Sequence, residues 1–334
     1  MSAAAAPVET HRAGLADMLV PAIRRNAWVL GLLGFLVLLI LFTKFIQPKY
    51  NEAGIQGLAI SVLPLALAAV AQAIVVISGG IDLSIGSMMA LVNVVAAVLM
   101  KGQSEEFDVV VVIAMLGLGL ALGAVNGCLV VVTRVPDIVV TLAMSFVWAG
   151  CALLVLSTPG GGSAKWLMDL ATGSLGNEWI PKAAVVLIVI VAVVWIPVRR
   201  SVLGLSIYAI GSNRLAAFRS GVPVGRSRIL AYVLMGLFAA LAGLSLTAST
   251  GIGTPVPGPY SLMSVAAVVL GGVSLAGGRG GVFGAIVAVM ILQLIRTDMT
   301  FLNINTNLAT VVQGVILIGV VMIGSLVQIR RARA

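Results

Sequence analysis

Charge is scarce in this chain. Only 9% of its 334 residues are charged, whereas a soluble domain carries about 25%. A soluble globular fold is therefore excluded. Aromatic residues amount to 5%, too few to build a stacking surface for nucleic acid. The net charge of +9 does not reverse that conclusion, because the basic residues sit between apolar runs. The single histidine, His11, lies in the N-terminal tail. The two cysteines, Cys128 and Cys151, both fall inside apolar runs and imply neither a disulfide framework nor a metal site. No lysine follows a glycine anywhere, so no P-loop can cradle a nucleotide phosphate. Nucleophile–base pairs and metal-ligand clusters are also missing from the pattern. The chain is expected to perform no bond chemistry, so energy for any work must come from a partner or a gradient.

What fills the sequence instead is apolar residues, 60% of the total. They form continuous runs, not the alternation over about 10 residues of a membrane β-barrel. A helical span needs about 20 residues. Ten spans fit, near 27–46, 55–77, 83–100, 109–132, 138–157, 183–198, 229–250, 260–277, 281–295 and 308–327. The sixth and ninth are short and need tilt, kinks or flanking apolar residues to cross. The expected fold is all-α: a polytopic helical membrane protein. Residues 1–26 form a cytoplasmic tail, 27–328 the membrane domain, and 329–334 a second cytoplasmic tail. Arg24 and Arg25 precede the first apolar run, but that run is longer than a signal-peptide core and lacks a small-residue cleavage pattern, so it is expected to be retained.

Charge also sets the orientation. With the N-terminus inside, the inner segments hold Arg12, Arg24, Arg25, Arg134, the arginines of 199–228, Arg279 and those of the C-terminal tail. The outer segments hold Lys44, Lys49, Lys101, Lys165, Lys182 and Arg296, with the acidic loop GQSEEFD at 102–108. The inner excess of basic residues places both termini in the cytoplasm. Eight spans with two re-entrant segments would keep the same sidedness. Gly119, Gly123 and Gly127 leave one face of the fourth span bare, so a neighbouring helix can approach closely. GGRGGVFG at 277–284 gives similar spacings at the start of the ninth.

One stretch breaks the apolar rule. ISGGIDLSIGS, residues 77–87, places a carboxylate, serines and paired glycines between two apolar runs. A charged side chain in the bilayer costs about 2.5–3.5 kcal/mol on insertion scales. Gly79 and Gly80 break a helix, and Asp82 with Ser84 opens the next. Either Asp82 is an N-terminal cap near the cytoplasmic surface, or the break lies deeper and lines a path for a polar solute. Freed backbone groups are tolerated at that depth only beside protein or a watery cavity. Gln72, Asn93, Asn126 and Thr141 are further polar residues within spans, suited to interhelical hydrogen bonds or to contacts with a passing solute. AIVVISGGIDLS (73–84) also echoes AAVVLGGVSLAG (266–277), with the paired glycines 192 residues apart. Glycine-interrupted spans at matching positions point to the pathway in transporters built from repeats.

Four stretches carry a family resemblance: ISGGIDLSIGSMMAL, GAVNGCLVVVTRVPDIVVTLAMSFVWAG (123–150), IYAIGSNRLAAFRSGVPVGRSRILAYVLMGLFAALAGL (207–244) and SVAAVVLGGVSLAGGRGGVFGAIV (264–287). In this order they resemble the permease subunit of a bacterial ABC sugar importer of the ribose and xylose type. The resemblance runs from about residue 55 to 325, and GGIDLS and AIGSNRLAAFRSG are its specific parts. It implies an inner-membrane permease working with a cytoplasmic ABC ATPase, a periplasmic sugar-binding protein and a second permease copy or paralogue. ATP would be bound by the ATPase, leaving this chain without a cofactor. Membrane lipid is the remaining partner, and nucleic acid is not one. Related permeases move nucleosides or branched-chain amino acids, and the GGIDLS form favours sugars. Gln72, Gly79, Gly80, Asp82, Ser84, Asn93, Asn126 and Thr141 are then candidates for the pathway or gate.

The loop of 199–228 has six arginines and no acid. Ser212 or Asn213 can cap a short helix through RLAAFR, which Gly221 and Pro223 would end. In ABC importers such a helix docks in a groove of the ATPase. Asn213, Arg214, Ala216, Ala217, Phe218, Arg219 and Gly221 are the candidate coupling residues, with Ala216, Ala217 and Phe218 supplying apolar contact. A secondary transporter driven by protons or sodium is the rival class. Such proteins often carry several ionisable residues within the membrane, and this chain offers mainly Asp82.

Overall fold

The computed structural model describes residues 15–256 and 258–305, together with 308, 311, 312, 314, 315, 318, 319 and 322. The chain is helical almost throughout. In order it forms α1 (Leu15–Ile46), α2 (Glu52–Ile77), α3 (Ile85–Met100), α4 (Glu105–Thr133), α5 (Asp137–Val155) and the short α6 (Lys165–Ala171). A small antiparallel hairpin follows, β1 (Ser174–Leu175) with β2 (Asn177–Pro181). Next come α7 (Lys182–Ile190), a π-helical turn (Val191–Trp195), α8 (Ile196–Arg200), α9 (Val202–Ser212), α10 (Arg214–Arg219), α11 (Val224–Thr250), α12 (Tyr260–Leu270) and α13 (Val282–Phe301).

Ten spans are expected; among the described residues seven helices are long and apolar enough to cross a membrane. α3 and α12 are shorter, at 16 and 11 residues, and the differences have local causes. α1 starts at Leu15, inside the stretch expected to be a tail. The eighth span, expected over 260–277, stops at Leu270 because Gly272 turns the chain with φ +83. The sixth reaches Arg200 by running through the π-turn, and the ninth extends to Phe301, so both are long and apolar enough to cross a membrane without flanking loops. The stretch of 199–228 is not an open loop: it holds the end of α8, all of α9 and α10, and the first turn of α11. Most of the tenth span (308–327) and the tail of 329–334 lie outside the described residues.

α2 is the central post. Every side chain from Val62 to Ile77 is buried, as expected of a helix that is apolar all round. α11 packs against α2, α3 and α4. The α4–α11 contact uses the bare glycine face: a Cβ on Gly119 or Gly123 would strike the backbone of Gly236 or Tyr232. Absent side chains there let the two helices close and gain dispersion contacts. The peripheral helices differ. α1 exposes Leu38 and Phe45, α5 exposes Phe146 and Leu154, and α7 with its π-turn exposes Ile188 and Val193. Such a belt suits lipid and would be an aggregation liability in water.

Between α11 and α12 the chain leaves helical geometry. Gly251, at φ +74, ends α11, and the following segment runs beside α3. Asn93 donates to the Ile252 carbonyl at 3.2 Å and to Thr247 Oγ1 at 2.8 Å. The Thr254 N–H donates to Asn93 Oδ1 at 2.6 Å, and the Gly86 N–H donates to Ser261 Oγ at 2.9 Å. Asn93 and Gly86 are separated by about 10 Å along α3. Irregular backbone therefore lies at membrane depth, and Asn93 supplies the hydrogen bonds that lipid cannot.

Candidate functional site

The break after α2 is built by its glycine. Ser78, Gly79 and Gly80 donate to the carbonyls of Ile74, Val76 and Val75 at 3.2, 2.9 and 3.0 Å, and Gly79 takes φ +86. The chain then runs without helical bonds to Ser84, and side chains satisfy what the helix no longer does. The Gln72 amide, oriented to fit both groups, places its nitrogen 2.8 Å from the Asp82 carbonyl and its oxygen 3.3 Å from the Asp82 N–H. Thr141 Oγ1 accepts from the Leu83 N–H at 3.1 Å and lies 3.2 Å from the Ile81 carbonyl.

Asp82 itself is enclosed. Its Oδ1 accepts from the N–H and the hydroxyl of Ser84, both at 2.6 Å, and its Oδ2 accepts from Asn126 Nδ2 at 3.2 Å. Asn126 also donates to Ser84 Oγ at 2.7 Å and accepts from Trp148 Nε1 at 3.3 Å. Gln72, Asp82, Ser84, Asn126 and Thr141 are all fully buried. Five of the expected pathway residues thus form one network, and Asn93 holds a second irregular segment farther out. Ser84, the first flanking residue of α3, makes no side-chain cap bond of its own; Asp82 fixes its backbone N–H, and Ser261 Oγ accepts from the first-turn N–H of Gly86. Asn126 lies about 10 Å from the C-terminal end of α4, so the network sits well inside the helix bundle. Each hydrogen bond to a charged group contributes about 1.5–3 kcal/mol, which offsets much of the cost of burying the carboxylate.

Below the network lies an ion pair that the sequence did not single out. Asp137 opens α5 and meets Arg228 of α11, both side chains largely buried. Tyr232 OH donates to the same Asp137 oxygen at 2.9 Å. A Cβ on Gly80 would run into Asp137 and crowd Tyr232. Gly80 is therefore small so that the break can rest on this pair. The only available signal was an acid just after Pro136, 91 residues from its partner, and Arg228 was hidden among the topology-setting arginines.

The face expected to be cytoplasmic carries α9 and α10. Asn213, not Ser212, caps α10, its side chain accepting from the Ala216 N–H at 2.9 Å. Gly221, at φ +81, follows the end of the helix. Ala217 turns inward and packs with Ile210 and Val224, so it offers no docking contact. Phe218 is 68% exposed and Leu215 is 58% exposed. Leu215 is the residue the sequence missed: it lies one turn before Phe218 on the same face. A groove of about 790 Å³ beside them is lined by Arg214, Leu215, Phe218, Val222, Pro223 and Arg226. Arg214 and Arg226 rim an apolar floor, while Ala216 and Arg219 are exposed nearby.

Glycines join this face to the core. Gly211 of α9 abuts the Ile77 carbonyl at the end of α2 and the Gly278 N–H in the loop after α12, with no room for a Cβ. Gly278 donates to Ile77 at 2.9 Å, and Tyr208 OH donates to the Gly280 carbonyl at 2.9 Å. The sequence echo has a structural counterpart here. Gly271, Gly272 and Val273 donate to Ala267, Val269 and Val268 as Ser78, Gly79 and Gly80 donate to Ile74, Val76 and Val75. The equivalent positive-φ glycines are Gly79 and Gly272, so the echo aligns one residue away from the pairing of glycine doublets.

Comparison with known proteins gives a consistent relationship. Residues 54–321 match the family model described as branched-chain amino acid transport system / permease component. The chain is 34% identical to the probable ABC transporter permease protein y4mJ of Sinorhizobium fredii, covering 90% of each. It is 33% identical to the ribose import permease protein RbsC of Escherichia coli, covering 77% of this chain and 81% of that one. It is 31% identical to the D-allose transport system permease protein AlsC of the same organism, covering 75% and 77% respectively. No solved structure matches the chain.

Proposed function

The chain belongs to the family described as branched-chain amino acid transport system / permease component, and from that membership we propose that it is the permease subunit of an ABC importer for a monosaccharide or related polyol. It is a multi-pass protein of the bacterial inner membrane and a transport component, not an enzyme. The observation that carries the sugar assignment is the similarity, over three quarters or more of the chain, to permeases named for ribose and D-allose. The family description names amino acids, but GGIDLS and these relatives favour a sugar.

A cytoplasmic ATPase binds ATP and docks on the exposed Leu215–Phe218 face, where a buried aromatic would dominate a small interface. The chain holds no cofactor of its own. A periplasmic binding protein delivers the sugar to the outer side, and a second permease copy or paralogue completes the membrane part. Movement of α9 and α10 reaches both helix breaks through Gly211, which touches the ends of each. The buried network around Asp82 keeps the broken backbone satisfied while it shifts. Support for this coupling comes from the exposed face, the glycine contacts and the resemblance of AIGSNRLAAFRSG. The test is reconstituted uptake: sugar should accumulate in liposomes only when the ATPase, the binding protein and ATP are all present.

A further inference from the structure

The outer half of the molecule holds a cavity that neither the Asp82 network nor the docking face uses. Its volume is about 400 Å³, within the range of roughly 300–1,000 Å³ found for small-molecule sites. It lies between the outer parts of α2, α11 and α13, beside the first residue of α12. Ser61, Ser249, Thr250, Tyr260, Gln293 and Arg296 line it.

The lining mixes donors and acceptors in a definite way. Pro64, also in the wall, has no N–H to give the Ile60 carbonyl one turn earlier, so that acceptor is freed. Gln293 reaches across from α13 and donates to the next carbonyl, Ser61, at 2.8 Å. Ser249 directs its proton to the Leu246 carbonyl at 3.1 Å and Thr297 directs its own to the Gln293 carbonyl at 2.9 Å, so they turn lone pairs toward the cavity, whereas Thr250 Oγ1 accepts from the Ile252 N–H at 3.4 Å. Arg296 and Tyr260 OH make no side-chain hydrogen bond among the described residues, which leaves their donors free. A guanidinium and a phenol therefore give, while hydroxyls and a carbonyl accept.

An anion would suit Arg296 but would face those lone pairs. A purely apolar solute would leave every one of these groups without a partner. A solute with several neutral hydroxyls fits both halves, because each hydroxyl donates one proton and accepts through two lone pairs. The Tyr260 ring adds an apolar face for the carbon side of such a molecule. We propose that this cavity receives the neutral polyhydroxy substrate inside the permease, on the outer side of the helix breaks. The proposal rests on the sugar-importer assignment above.

The test uses the permease–ATPase complex in sealed proteoliposomes with the outer side of the permease facing out, with Cys128→Ala and Cys151→Ala as background and Ser249→Cys or Thr297→Cys as separate reporters. A membrane-impermeant thiol reagent labels each reporter, and D-ribose, D-allose or inorganic phosphate is added as competitor. A sugar that occupies the cavity slows labelling by the mass-action factor, about twofold at a concentration equal to its Kd. Adding Arg296→Gln should remove that protection. Reporters that label at the same rate with either sugar, in a complex that still imports sugar when binding protein is supplied, overturn the proposal and leave the importer assignment standing. Protection by phosphate alone overturns it as well, as does a failure of both reporters to react from outside. If the complex imports no sugar at all and neither reporter is protected, both conclusions fall.

Discussion

Gly278 donates its backbone N–H to the Ile77 carbonyl at 2.9 Å. That one bond joins the loop after α12 to the end of α2, so the two helix breaks meet backbone to backbone. Gly211 of α9 closes over the same point. A movement imposed on the cytoplasmic helices has a direct steric route into both broken helices, with no intervening flexible side chain to absorb it.

Gly211→Ala tests that route. The added methyl would press on the Ile77 carbonyl and the Gly278 N–H, at a cost of about 1–3 kcal/mol for overpacking. ATP hydrolysis by the assembled complex should persist while sugar uptake per ATP falls. Gly150→Ala, on an open face of α5 with nothing within 4 Å, should leave the ratio unchanged. Equal uptake per ATP in the two variants contradicts the coupling role of Gly211.

The Asp82 network has a fixed polarity, running from Trp148 through Asn126 to Asp82. Asp82→Asn keeps an acceptor for Ser84 but sets one amide NH2 against another at Asn126. Loss of a buried pairing costs about 1–3 kcal/mol, so the thermal midpoint of the purified permease should fall. Adding Asn126→Asp reverses donor and acceptor and should recover much of the loss. Uptake should follow the amount of folded protein through this series. A normal thermal midpoint in the single variant would show that the network does not hold the break. Uptake that stays lost when stability returns would give Asp82 a direct part in the pathway.

At the cytoplasmic face, exposure ranks the residues. Phe218→Ala and Leu215→Ala remove the apolar anchors, and Phe218 should cost about 2 kcal/mol or more, near a thirtyfold loss of ATPase affinity. Arg219→Ala removes a solvated rim charge, worth about 0–1 kcal/mol. ATPase binding to immobilised permease measures the order. An Arg219 effect larger than the Phe218 effect would contradict the apolar docking face.

Much of this architecture was legible because bilayer chemistry writes long, continuous signals. Apolar runs located the helices, and Gly119, Gly123 and Gly127 marked the face that α11 occupies. GGIDLS announced a broken helix, and the intramembrane polar residues were found one by one. What one-dimensional spacing does not carry is pairing across helices. Asp137 and Arg228 are 91 residues apart, and each looked like ordinary punctuation at a helix end. Asn126 and Asp82 could be named but not joined. Ala217 and Leu215 exchanged roles because a six-residue helix has too little periodicity to show which face turns inward. The outer cavity was hidden for the same reason, since its lining comes from four separate helices.

The central claim is that this permease imports a sugar only as part of an ATP-driven assembly. Liposomes containing the permease alone, with an imposed proton or sodium gradient, should accumulate no labelled D-ribose or D-allose. The same liposomes with ATPase, loaded binding protein and ATP should accumulate sugar, and omission of any one component should return uptake to background. Gradient-driven accumulation by the lone permease would contradict the account directly.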